Sequence, residues 1–244
     1  MKKIVYKYRM KCLTKKIICE SARLCKNSYS TIEMLEEDFY YIKSEETGLD
    51  CFIRGTGDIT WVVFRGTETD KLNDLCTDAF TWRVSPNFLP SKCKVHAGFL
   101  NQYSGNRSSI TEVISTINNP TVVCTGHSLG GGLATLCALD LEQNFGVDVE
   151  TYCVTFGSPR VGGSHFCKLF DSVIDNSFRF VDVNDPIPRI PFKMWGFHHV
   201  KGCYTTSPEG FKPDLEQVES SSYACCSVED HGIELYEAAL NFDA

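Results

Sequence analysis

Apolar and polar positions change their period several times along the 244 residues, and each change predicts an element. Within residues 21–42, Leu24, Ile32, Leu35, Phe39 and Ile42 recur at helical spacing with acids between them. That pattern predicts one or two amphipathic helices laid against a sheet. The period then shortens: residues 50–54 and 58–64, separated by Gly55-Thr56-Gly57, predict a β-hairpin. The second of these strands, Ile59-Thr-Trp-Val-Val-Phe64, is apolar almost throughout and is expected inside the sheet with both faces covered. Residues 108–117 read as a helix leading to the β-branched run 121–125, a buried strand. Residues 133–145, rich in Ala and Leu and followed by Gly146, read as the next helix. Two further strands are expected at 149–156 and 178–183, with a helix around 165–170 between them. Strands alternating with helices predict an α/β protein built on a central, mostly parallel sheet flanked by helices. No boundary divides the chain, so residues 1–244 are expected to form a single domain.

Composition adds few constraints. A hydrophobic content of 43% with 23% charged residues is ordinary for a globular protein, and no run has the length of a transmembrane segment. The formal charge of −7 is uneven, because residues 1–18 hold seven Lys or Arg and no acid, which leaves −14 on the remainder. The basic N-terminal extension suits peripheral contact with an anionic lipid interface and equally a solvated start. An acidic remainder without a Lys/Arg stripe argues against a nucleic-acid partner. Thirteen cysteines occur with no C-x-x-C pair, which speaks against a metal site, and several fall inside predicted strands and helices. With no signal-like segment at the start, this cysteine usage favours a reducing, intracellular or cytoplasmic compartment.

The candidate chemistry centres on Gly126-His-Ser-Leu-Gly130, which lies between the predicted strand 121–125 and the helix after it. A G-x-S-x-G sequence at a strand-to-helix turn holds its serine in a strained conformation with the hydroxyl presented, so Ser128 is the candidate nucleophile. The N–H of Leu129, at a helix start, is placed to receive a developing oxyanion, and Thr67 in Arg65-Gly66-Thr67 offers a second donor from the facing strand end. Asp185 leaves the carboxyl end of the strand at 178–183 in a loop stiffened by Pro186, Pro188 and Pro191, with Asp182 and Asp175 as weaker alternatives. His231 follows Ser227-Val-Glu-Asp230, a helix-start signature, and is the candidate base. The rivals His198 and His199 stand too close to Asp185 in sequence for a separate arm and suit a supporting role. His96 precedes the serine and is expected in packing or support, while His127 should point away from the tight turn. Leu72, Leu75, Cys76, Ala79 and Phe80 repeat with helical period within residues 68–92, which fits a lid over the pocket as well as it fits an ordinary surface helix.

From about residue 50 onward the chain resembles the class 3 lipase family, the fungal and plant triacylglycerol lipases of the α/β-hydrolase fold. The resemblance rests on Val-Phe-Arg-Gly-Thr67, Val95-His-Ala-Gly-Phe, Thr-Gly-His-Ser128-Leu-Gly-Gly, Thr155-Phe-Gly-Ser-Pro-Arg-Val-Gly, Val-Asn-Asp185-Pro-Ile-Pro-Arg and Asp230-His231-Gly-Ile-Glu-Leu-Tyr236, in the family's order. It implies an acyl-enzyme mechanism on acylglycerol-type esters, with Ser128, Asp185 and His231 as the triad, Thr67 and Leu129 as the oxyanion hole, and no metal or organic cofactor. By their positions in the chain, His127, His96 and His199 are expected to support or line the site. Leu75 stands where many members carry Trp, and Asp70, Asp74 and Asp78 make the lid-like segment 68–92 less lipophilic. The other readings open at this point are phospholipase A1, mono- or diacylglycerol lipase, a soluble aromatic-acid esterase, and a catalytically silent lipid-binding or scaffold protein on the same fold.

Overall fold

The computed structural model describes residues 2–67, 82–145, 149–207, 210–213 and 228–240, with side chains from residue 13 onward except at 207, 210, 213, 228 and 229. Its strands are β1 (Tyr40–Ser44), β2 (Leu49–Thr56), β3 (Ile59–Phe64), β4 (Arg83–Val84), β5 (Val95–His96), β6 (Thr121–His127), β7 (Glu150–Phe156), β8 (Asn176–Val181), β9 (Cys203–Ser207) and β10 (Gly210–Pro213). Among the described residues eight of them form one sheet in the order β1-β2-β3-β6-β7-β8-β9-β10, while β4 and β5 pair separately. The central run from β3 through β6, β7 and β8 to β9 is parallel, and antiparallel strands complete both edges. This mostly parallel sheet flanked by helices is the α/β-hydrolase architecture.

Alternating side chains explain why the central strands read as continuously apolar. Val62 and Phe64 of β3, Val122 and Cys124 of β6 and Cys153 of β7 face one core. Trp61, Val63, Val123, Tyr152 and Val154 face the other. Each strand feeds two cores, so it has no polar face to show. The first core is closed by Phe99 and Tyr103 of α3 (Ala97–Ser104), Ile110 of α4 (Arg107–Ile117), Leu133 and Leu136 of α5 (Leu129–Asn144), and Phe166 and Phe170 of α6 (Ser164–Val173). The second is closed by Ile17, Leu24 and Cys25 of α1 (Lys2–Asn27), Met34 of α2 (Thr31–Glu36), and Ile233 and Tyr236 of α7 (Ile233–Ala239).

Three departures from the sequence reading have local causes. The helical pattern expected to run to residue 42 stops at Glu36, because Asp38 adopts φ 60° and the following Tyr40–Ser44 pairs with β2. Residues 2–27, basic start included, form one long helix whose Ile17, Ile18, Ala22, Leu24 and Cys25 are buried. The last helix begins at Ile233 rather than just after Ser227: Val228–His231 make a 3₁₀ turn and Gly232 is extended (φ −60°, ψ 134°). The lid-like segment 68–92 lies outside the described residues over 68–81. Its remainder contributes β4, where the Arg83 guanidinium donates to the Gly196 carbonyl at 2.9 Å.

An ion pair between the half-buried Arg107 and the buried Asp140 anchors α5. Asp140 of α5 is fully buried and accepts from Arg107 Nε (2.6 Å) and Nη2 (2.9 Å), Tyr103 Oη (2.7 Å) and Asn144 Nδ2 (2.7 Å). With every carboxylate lone pair engaged, the desolvation cost of the charge is offset, and α3 and α4 are locked to α5.

Candidate active site

Ser128 sits between β6 and α5 at φ 57° and ψ −130°, a region that costs a non-glycine residue about 1–3 kcal/mol. The surroundings hold it there. Its N–H donates to the Phe156 carbonyl at 3.0 Å, and α5 is buried from Gly130 to Leu141. A Cβ on Gly126 would lie 2.2 Å from the carbonyl carbon and oxygen of Gly130, so only glycine lets strand and helix approach this closely. The Ser128 hydroxyl is buried and has no hydrogen-bond partner among the described residues.

Asp185 and His231 meet on the same edge of the sheet. His231 Nδ1–H donates to Asp185 Oδ2 at 2.6 Å, and both side chains are fully buried. Asp185 Oδ2 also accepts from Tyr236 Oη at 2.5 Å, and Asp185 Oδ1 from the Ile187 N–H at 2.8 Å. Burial, with the Asp185 charge beside it, pushes the Tyr236 hydroxyl well above its ordinary pKa, so it serves as a donor. With Nδ1 committed to the carboxylate, the neutral His231 ring leaves Nε2 as its basic nitrogen, buried and without a partner. Gly157 (φ 58°) makes room for the pair: a Cβ there would come within 2.8 Å of both Asp185 Oδ2 and His231 Cε1.

The other histidines divide by environment. His127 points away from Ser128, as expected, but into contact with the base-bearing segment. Its Nε2–H donates to the His231 backbone carbonyl at 2.7 Å, Tyr29 Oη–H donates to its Nδ1 at 2.7 Å, and its ring stacks on that of His231 with centroids 4.5 Å apart. A carbonyl can only accept, which fixes the tautomer. Burial, with His231 adjacent, holds His127 neutral by lowering its pKa well below 6.5. His199 Nε2–H donates to the Pro188 carbonyl at 2.6 Å and braces the loop after Asp185; burial, then Arg179 and Arg160, lowers its pKa as well. Arg160 holds the same loop through the Arg189 carbonyl and through Pro191 O at 3.0 Å. His96 Nδ1 accepts from the Gly98 N–H at 3.2 Å and so caps α3, its ring against Phe99 and Phe197. Of the alternative acids, Asp182 caps its own turn through Asn184 N–H (2.8 Å), and the exposed Asp175 lies 3.6 Å from Lys201. Tyr29, Tyr236 and Arg160 were not singled out in the sequence, although Tyr236 falls in the motif that carries His231. Among the described residues no cluster of His, Cys, Asp or Glu is arranged to hold a metal ion.

Comparison with known proteins identifies the family and the fold. The family model for lipase (class 3) matches residues 61–195. Secreted mono- and diacylglycerol lipase 1 of Fusarium solani is 37% identical over 138 residues, which is 52% of this chain and 39% of that one. Secreted mono- and diacylglycerol lipase A of Penicillium cyclopium is 29% identical over 198 residues, 79% of this chain and 63% of that one. A solved triacylglycerol lipase whose catalytic centre is described as a serine-protease triad superposes with a TM-score of 0.70 at 26% identity, covering 91% of this chain and 92% of the other. The chain thus spans less than two thirds of the length of both secreted relatives. Their being secreted overturns the expected intracellular or cytoplasmic location. The cysteine argument misled because eight of the nine described free thiols are buried, where they pack as small hydrophobes and record nothing about redox compartment.

Proposed function

Because the chain belongs to the class 3 lipase family, we propose that it is a serine ester hydrolase that cleaves acylglycerol-type carboxylic esters through an acyl-enzyme. His231 Nε2 takes the proton of Ser128 as Oγ attacks the ester carbonyl, and Asp185 holds the imidazole in the tautomer this requires. The backbone N–H of Leu129 and the Thr67 donor stabilise the oxyanion. The imidazolium returns the proton to the leaving alcohol, and water, activated by the same base, releases the acid. The reading is carried by one observation: a strained serine whose buried hydroxyl has no partner shares a sheet edge with a buried His–Asp pair whose Nε2 has none either. Each such unpaired group costs stability, and two of them on one sheet edge call for an explanation that a reaction supplies. The chain is read as one domain with a lid-like segment at about 68–92, and peripheral contact with a lipid interface follows from the substrate class.

The test is Ser128→Ala against wild type on p-nitrophenyl butyrate, together with a fluorophosphonate probe that labels activated serines. Wild type should hydrolyse the ester and take the label, and the variant should lose both, with turnover falling by about 10⁴-fold or more. A folded wild-type protein that does neither would leave the silent lipid-binding reading standing.

A further inference from the structure

A cavity of about 310 Å³ opens between the loop that leads into β5 and the start of α6, and none of Ser128, Asp185 and His231 lines it. Arg83 of β4, Lys92 and Lys94 stand on one side of it, Ser164 and His165 of α6 on the other. Three permanent cations thus surround one opening. Among the described residues no Asp or Glu lines that opening, and none of the three cations belongs to an ion pair. We propose that this cavity is a binding site for a phosphate-class oxyanion, a phosphoryl group carried by a lipid headgroup or free in solution, held by Arg83, Lys92 and Lys94. The site is independent of the ester chemistry.

Local structure gathers the three cations. Lys92 and Lys94 flank Cys93, which is buried and whose thiol donates to the His165 carbonyl at 3.7 Å, so the exposed lysines share an outward face and their loop is tied to the first turn of α6. Arg83 is brought alongside by the pairing of β4 with β5, the strand that follows this loop. Its guanidinium lies against two glycines: a Cβ on Gly163 would be 2.5 Å from Nη1, and one on Gly196 would be 2.6 Å from Nη2. Only residues without a side chain leave it that space. Nη1 donates to the Gly196 carbonyl at 2.9 Å, and the group sits 5.5 Å from the centre of the Phe197 ring, which fixes its place in the wall. Among the described residues it makes no other hydrogen bond. Charge then decides the class of ligand. In a protein of net charge −7, this opening is lined by cations alone. A monocarboxylate would leave two of the three unanswered, whereas a phosphate monoester carries about −1.5 to −2 at neutral pH and several acceptor oxygens. The arginine fork engages two of those oxygens at once, and the lysines add point charges. An apolar occupant would strip water from the cations and return no hydrogen bond.

The experiment is calorimetric titration with inorganic phosphate at constant ionic strength, since salt screens exposed charges. Wild type should bind with a Kd of about 1 mM, and Lys92→Gln/Lys94→Gln, which alters only exposed side chains, should bind at least about tenfold more weakly. Lys15→Gln/Lys16→Gln removes the same charge from α1, which packs on the other face of the sheet, and should change the affinity by less than about twofold. The source of the phosphoryl group is read by co-sedimentation with vesicles of ether-linked phosphatidylcholine, which offer no ester to cleave, with and without ether-linked phosphatidate. Phosphatidate-dependent binding that Lys92→Gln/Lys94→Gln reduces by about thirtyfold assigns the site to a headgroup. Phosphate binding that the same variant loses, while its vesicle binding is nil or unaltered, assigns the site to a soluble phosphate. Neither kind of binding in wild type, wild-type affinity for both probes in Lys92→Gln/Lys94→Gln, or an equal loss in Lys15→Gln/Lys16→Gln overturns the site.

Discussion

His127→Phe tests whether the base is held in place from behind. Phenylalanine keeps an aromatic ring against that of His231 but removes two hydrogen bonds, one to the His231 carbonyl and one from Tyr29, each 2.7 Å long. The carbonyl is buried and loses its donor, at about 1–3 kcal/mol, while the half-buried Tyr29 hydroxyl can turn toward water and loses less. The sum is about 2–4 kcal/mol. At ~2–4 °C per kcal/mol for a protein of this size, the thermal midpoint should fall by about 4–16 °C. The catalytic effect is separate. The lost bond is the one recorded between the nucleophile's strand and the backbone of the base, and a displacement near 1 Å there should lower kcat by up to ~10²-fold. Differential scanning calorimetry and p-nitrophenyl butyrate turnover read the two effects, with Tyr29→Phe as the milder comparison at about 0.5–1.5 kcal/mol. A midpoint within about 1 °C of wild type together with unchanged kcat would show that the contact positions nothing.

Asp185→Asn should leave the fold intact and cut kcat by ~10⁴-fold on the same ester, because the amide favours the wrong imidazole tautomer; a loss under about tenfold would remove Asp185 from the mechanism. Tyr236→Phe removes a charge-assisted donor to Asp185 Oδ2 and leaves the Asp182 N–H, now bonded at 3.1 Å, without its acceptor, so urea denaturation should show a loss of about 1.5–3 kcal/mol. Gly126→Ala forces a Cβ into the Gly130 backbone and should yield little folded protein, whereas soluble expression with full activity would contradict the packing described for the elbow. His127 and His199 are held neutral by burial, well below 6.5. Below pH 6.5 the unfolded chain therefore binds protons that the native state does not, and stability should fall with decreasing pH by up to ~1.4 kcal/mol per unit for each group. Thermal midpoints at pH 7, 6 and 5 that do not decline would refute it.

The central elements were legible because each obeys one strong local rule. β3, β6 and β7 are short apolar runs bounded by turn residues, and the elbow is a five-residue motif whose flanks had to be strand and helix. What escaped was decided by contacts distant in sequence. Cys203-Tyr-Thr-Thr-Ser207 has no apolar alternation strong enough to announce a strand, and becomes β9 because β8 offers it an open edge. Ile42 fits a helical period as well as a strand, and pairing with Cys51 of β2 settles the matter. Asp185 and His231 could be chosen from chain order and loop chemistry. The supports of the site could not: Tyr29 lies 98 residues from His127, and the Tyr236 hydroxyl finds Asp185 across 51 residues. Position in a pattern nominates candidate reactive groups, whereas the groups that hold them are fixed by packing.

The sulfur chemistry of the interior follows from its burial. The thiols of Cys25, Cys153 and Cys167 are pushed up to about 12, mainly by desolvation, and those of Cys51 and Cys124 are raised well above 9. At mildly alkaline pH the nucleophilic thiolate of such groups is depleted about a thousandfold relative to an ordinary cysteine. A disulfide reagent such as Ellman's should therefore titrate the exposed Cys19 at once and reach the interior set only as fast as the molecule opens. Its slow phase is a stopwatch for breathing of the central sheet, because Cys124 and Cys153 lie on the neighbouring strands β6 and β7 that lead up to Ser128 and Gly157.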